Sequence, residues 1–138
     1  MTLKDFITQC TLVFKSFEHD VTIIQSKSSL WQFTTNSRRN KKKYAVMVAP
    51  AFSKVKSLIK IAKKKLPPET RLVVVTNTFT DADNDMSAKE DFTLLTLETL
   101  NRYGQEMLDL KNRSSDGTIH IVDGDNIIDQ VINKEKDF

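Results

Sequence analysis

The sequence predicts a mixed α/β domain, a central mixed sheet flanked by helices on both faces. Two patterns carry that expectation. Three strand-like segments follow one another directly, after which strand and helix alternate, so the sheet must combine antiparallel and parallel pairs. The segment Arg71 to Thr76 contains Val73, Val74 and Val75, a continuous apolar run that suits a strand covered on both sides and therefore central. Composition agrees: 138 residues, 39% hydrophobic and 28% charged with three Gly and three Pro, describe a folded chain with a modest core rather than a disordered, collagen-like or repeat protein.

Leu3, Phe6, Ile7, Cys10, Val13, Phe14 and Phe17 recur at three- and four-residue steps, so residues 2 to 17 read as an amphipathic helix, with Thr2 and Asp5 as its capping pair. Val21 to Gln25, Leu30 to Thr35 and Tyr44 to Ala49 read as three strands. Between the second and third lies Asn36 to Lys43, polar and basic throughout, the expected exposed hairpin loop. Ser53 is placed to cap a second helix whose stripe is Val55, Leu58, Ile59, Ala62 and Leu66, ended by Pro67 and Pro68. After the central strand come a polar loop (Thr78 to Asp85), a short helix around Met86 to Asp91, a strand at Thr93 to Thr96 and a helix at Leu97 to Leu110. A turn at Asn112 to Gly117 leads to a strand at Thr118 to Val122 and a helix at Ile127 to Asn133.

The expected organisation is one domain over 1–138, with a core over 1–111 and a strand-helix extension over 112–138. No apolar run approaches the roughly 20 residues that span a bilayer, and Lys4 and Asp5 do not open a signal peptide. Cys10 is the single cysteine, which excludes an internal disulfide and a cysteine-rich zinc site and fits a reducing compartment. The expectation is a soluble intracellular protein without a membrane partner.

Charge is the most informative property. The formal net charge is only +3, yet Val21 to Pro68 hold twelve Lys/Arg and no Asp or Glu, while the remainder carries nine basic and eighteen acidic side chains. Arg38, Arg39, Lys41, Lys42 and Lys43 concentrate in the expected hairpin loop, where cations reach phosphates and Arg adds bidentate geometry. Projected at about 100° per residue, Lys56, Lys60, Lys63 and Lys64 share the polar face of the second helix. The same residues also suit a solvated face, a nuclear-import address or a dock for an acidic partner. No recognition-helix or zinc-finger pattern accompanies them, so base-specific readout is not indicated.

The order helix, three strands, helix, strand resembles the restriction-endonuclease-like fold of the PD-(D/E)XK superfamily, and its Mrr-type branch in particular. The phrases FKSFEHDVTIIQS, YAVMVAPAFSKVKSLIKIAKK, RLVVVTNTFTDAD and AKEDFTLLTLETL carry the resemblance over about residues 6 to 100. It implies a nuclease ancestry in which an Asp on the second strand and a Glu-x-Lys or Gln-x-Lys on the third hold Mg²⁺ and position water. Aligned by strand, the first position falls within Leu30, Trp31, Gln32 and Phe33, and the third-strand pair falls on Met47 and Ala49. A thioether and a methyl group bind no Mg²⁺, which demands hard anionic oxygens. The chain therefore resembles a nuclease fold without nuclease chemistry. Gln25-Ser26-Lys27 with Asp20 upstream matches the motif only within one strand, and Glu18 alone would not hold the ion.

Other constellations are weaker. Asp81-Ala82-Asp83-Asn84-Asp85 opens like a calcium loop but has Met86 in place of Gly and Phe92 in place of the final Glu. Asp123-Gly124-Asp125 reads as a turn, His19 and His120 lack a nucleophile motif, and Gly104, Gly117 and Gly124 form no phosphate loop. The leading expectation is a non-catalytic nucleic-acid-binding domain, DNA ahead of RNA, using Arg38 to Lys43 and the Lys56 to Lys64 face, with no metal, cofactor or catalytic residue. The alternatives are an assembly module joining opposed basic and acidic faces, and a Mg²⁺ nuclease drawing carboxylates from Glu18, Asp20 or the acidic half.

Overall fold

The computed structural model describes residues 2–26 and 28–115 of the chain. The chain divides into two units, Met1–Gln105 and Glu106–Phe138. The first is a mixed α/β structure with a five-stranded mixed sheet. Helix α1 (Leu3–Ser16) leads into β1 (His19–Ile23), β2 (Phe33–Ser37) and β3 (Lys43–Val48). Two 3₁₀ turns (Phe52–Lys54 and Lys56–Leu58) precede α2 (Ile59–Lys65), then come β4 (Thr70–Thr76), α3 (Asp81–Glu90), β5 (Thr93–Thr96) and α4 (Leu97–Ser115). The strands lie in chain order, β1-β2-β3-β4-β5. The first two pairs are antiparallel and the last two parallel.

Alternation along the strands divides the core into two layers. On one face Phe33 meets Phe14 of α1, ring centroids 5.7 Å apart, and the His19 ring stacks on Tyr44 at 5.7 Å. On the other face Met47, Leu72, Val74 and Leu94 pack with Ile59 and Ala62 of α2, and Leu30 and Trp31 close over the same cluster. Helices therefore cover both faces. β4, expected to be central, is an interior strand between β3 and the edge strand β5, with Leu72 through Thr76 buried, and β3 takes the middle place.

Several expected boundaries move. Thr2 caps α1 as expected, its hydroxyl accepting from Asp5 N at 3.1 Å. The expected second strand, Leu30 to Thr35, shifts to Phe33–Ser37 because Leu30 and Trp31 are drawn onto the α2 core, while Gln32 holds the entry through its N–H on Val46 O. Ser53 does not cap a long helix: it lies inside a 3₁₀ turn, and α2 is only seven residues long. Asp81 to Asp85 are not loop but the start of α3, where Thr80 and Asp83 form a capping box. α4 extends to Ser115, through part of the expected Asn112 to Gly117 turn. The expected strand at Thr118 to Val122 and helix at Ile127 to Asn133 lie outside the described residues.

Candidate nucleic-acid interface

The basic hairpin is tighter than the sequence suggested. β2 runs through Ser37 and β3 begins at Lys43, so only Arg38 to Lys42 form the turn. Ser37 organises it: its Oγ accepts from the N–H groups of Arg39 at 3.2 Å and Asn40 at 3.3 Å, and its carbonyl accepts from Lys41 N at 2.9 Å. Lys41 takes a positive φ of 65°, and Asn40 Oδ1 accepts from Lys42 N at 3.0 Å. The backbone is fixed while the cationic side chains of Arg38, Arg39, Lys41, Lys42 and Lys43 all project into solvent. Among the described residues, Arg38 pairs with Asp20 at 3.5 Å, and the other four meet no carboxylate within 4 Å.

The lysines of the second segment do not act as one stripe. Lys56 sits in a 3₁₀ turn ahead of α2, nearer the end of β3 than its beginning, whereas Lys60 and Lys64 are exposed on α2. Lys63 is turned away: its Nζ donates to the backbone carbonyl of Asp91 at 2.7 Å, where α3 ends in a left-handed residue. The Lys63 side chain is half-buried as a whole, and its hydrogen bond, itself exposed, ties α2 to the end of α3. Lys54 and Lys65, both exposed, belong to the basic surface and were not singled out from sequence. Lys65 follows Lys63 by two residues and so lies about 200° around the helix from it.

Register aligns the base of the hairpin with the start of β4. Cross-strand pairing sets Asp20 opposite Asn36, Asn36 opposite Lys43, and Lys43 opposite Thr70. These four residues form one row across four strands, on the face that carries α2. α2 runs back towards the start of β4, so its C-terminal lysines approach the hairpin end of the sheet. A groove of about 220 Å³ follows the row, lined by Asp20, Thr22, Thr34, Asn36, Lys43 and Thr70 together with Pro67 of the α2–β4 connection. A more open depression of about 520 Å³ between α1 and α4 is lined by Gln9, Leu12, Asn77, Glu98 and Asn101 among others and contains no Lys or Arg.

The positions that would carry nuclease chemistry lie elsewhere. Met47 is 1% exposed, sealed in the α2 core, and Ala49 is buried as well. Gln32 directs its Oε1 to Val48 N at 2.6 Å. Met47 lies four residues along β3 from Lys43, about 13 Å. Asp20 is therefore at the hairpin end of the sheet, remote from Met47, and Glu18 sits with φ 66° in the α1–β1 turn. Among the described residues no three His, Cys, Asp or Glu gather as a metal site. His19 is buried and its Nδ1 shares a 3.0 Å hydrogen bond with Thr35 Oγ1. No described helix is long and apolar enough to cross a membrane.

No family model matches the chain, and no match is found among curated proteins or solved structures.

Proposed function

We propose that the chain is a non-catalytic nucleic-acid-binding domain on a restriction-endonuclease-like fold, gripping the phosphates of duplex DNA through its basic hairpin and the exposed lysines of α2. The observation that carries this reading is the hairpin: four exposed cations on an ordered turn and a fifth, Lys43, at the start of β3, four of the five without a carboxylate partner among the described residues. Such a cluster repels itself in the free protein and is relieved by a polyanion. The element order and the sheet, two antiparallel pairs followed by two parallel ones, support the fold part of the reading. Side chains at Met47 and Ala49 that cannot coordinate Mg²⁺ support its non-catalytic part.

Fluorescence anisotropy of a labelled duplex, titrated across a salt series, tests it. Engagement of about six phosphates gives a log–log slope of about −5. Absence of binding at low salt, or a flat salt response, overturns the proposal. Salt-sensitive self-association in light scattering without nucleic acid, combined with absence of DNA binding, would favour the assembly module instead.

A further inference from the structure

We infer that the uncovered face of β1 and β2 is part of the binding surface, and that the Asn36–Lys43–Thr70 row tracks one phosphodiester strand of a duplex; this rests on the reading just given. Helix α2 covers β3 and β4 but leaves Thr22, Thr34 and Asn36 lining an open groove beside the hairpin. A sheet face left open to solvent explains polar side chains, yet these are of a particular kind. Asn36, Lys43, Thr22 and Thr34 carry hydrogen-bond donors, Thr70 gives its hydroxyl proton to Pro68 O at 3.3 Å, and the row is directly continuous with the hairpin cations. Two strand spacings of about 4.8 Å make the Asn36–Lys43–Thr70 row about 10 Å long, enough to meet two successive phosphates.

The groove also indicates which nucleic acid fits. Single strands are held by aromatic platforms on which bases stack. The one aromatic residue of this groove, Tyr44, is 2% exposed, so it offers no ring face to a base. Hydroxyl, amide and ammonium donors contact backbone oxygens instead, which suits a duplex whose bases stay paired. Asp20 ends the row at the edge strand, where its carboxylate faces Arg38 and bounds the track.

The test places opposite charges at one exposed position. Asn36→Asp, isosteric, is expected to weaken duplex binding about tenfold at low salt, and Asn36→Lys to tighten it several-fold. Gln9→Glu, on α1 across the sheet, is the control and should stay within about twofold. Wild-type protein should prefer a duplex to a single strand of the same length by about tenfold. If wild type binds and a hairpin neutralisation weakens it while both Asn36 variants bind like wild type, the row is not in contact and this inference fails with the broader reading intact. A single-strand preference likewise overturns it. If wild type binds no nucleic acid, both fail.

Discussion

Arg38 Nε lies 3.5 Å from Asp20 Oδ1, so among the described residues the carboxylate that pairs with the basic hairpin faces the residue that opens the turn. Both side chains are largely exposed, 63% and 69%, so the pair adds little to stability. On the proposed function its effect is on binding: Asp20 would compete with phosphate for Arg38 and repel a backbone approaching Lys43. Asp20→Asn is therefore expected to tighten duplex binding by about threefold to tenfold at low salt, the gain shrinking as salt rises. Anisotropy titrations at two salt concentrations measure both effects.

Neutralising the hairpin separates binding from folding. With Arg38, Arg39, Lys41, Lys42 and Lys43 all replaced by Gln, the salt slope should fall by several units and affinity by at least a hundredfold. Each site is exposed, so thermal or urea unfolding should change by no more than about 0.5 kcal/mol per substitution. A lost affinity accompanied by a collapsed unfolding transition would mean the turn is structural.

Lys63 and Lys64 are neighbours with different work. Lys63→Met removes the ammonium that satisfies the Asp91 carbonyl and is expected to cost about 0.5–1.5 kcal/mol in urea unfolding with little effect on DNA affinity. Lys64→Met should do the reverse, weakening binding by a few-fold at unchanged stability. Equal losses of affinity in the two variants would show that both reach the nucleic acid.

Cys10 is fully buried and desolvation raises its thiol from 9.0 to about 12. Because the thiolate is the nucleophile, native protein at mild alkaline pH should resist alkylation and react only in denaturant. The linkage has a definite sign. The unfolded thiol ionises from about pH 9 while the folded thiol keeps its proton to about 12, so wild type loses stability relative to Cys10→Ala as pH rises through that window. Below about pH 9 the difference between the two should be constant.

The non-catalytic part of the reading has its own assay. Supercoiled plasmid incubated with the protein and Mg²⁺ or Mn²⁺ is expected to remain supercoiled. Nicking that disappears in Glu18→Ala or Asp20→Ala would restore the nuclease alternative.

Legibility from sequence followed the strength of the periodic signal. The Val73–Val75 run and the Thr93–Thr96 strand lie where expected, because an apolar run bounded by polar turns admits few other conformations. α3 began five residues early because DADNDMSAKE buries only Ser87 and has no apolar stripe to read; the Thr80/Asp83 capping box was the available signal. The second helix lost its first half to 3₁₀ turns, in which Phe52, Val55 and Leu58 at three-residue spacing imitate a helical stripe. At the candidate site the hairpin cations were visible as a charge cluster. The Asn36–Lys43–Thr70 row was not, since its members are scattered over more than thirty positions of chain.

Sequence alone determined the inventory: a segment from Val21 to Pro68 with twelve cations and no carboxylate, and Met and Ala at positions 47 and 49. Those are properties of composition along the chain and no folding step can alter them. Tertiary structure decided which cations share a surface, setting Lys43 between Asn36 and Thr70 and drawing Lys63 aside to Asp91. Strand register and helix rotation are fixed by burial of Met47, Leu72 and Val74 against Ile59 and Ala62, contacts between residues remote in sequence.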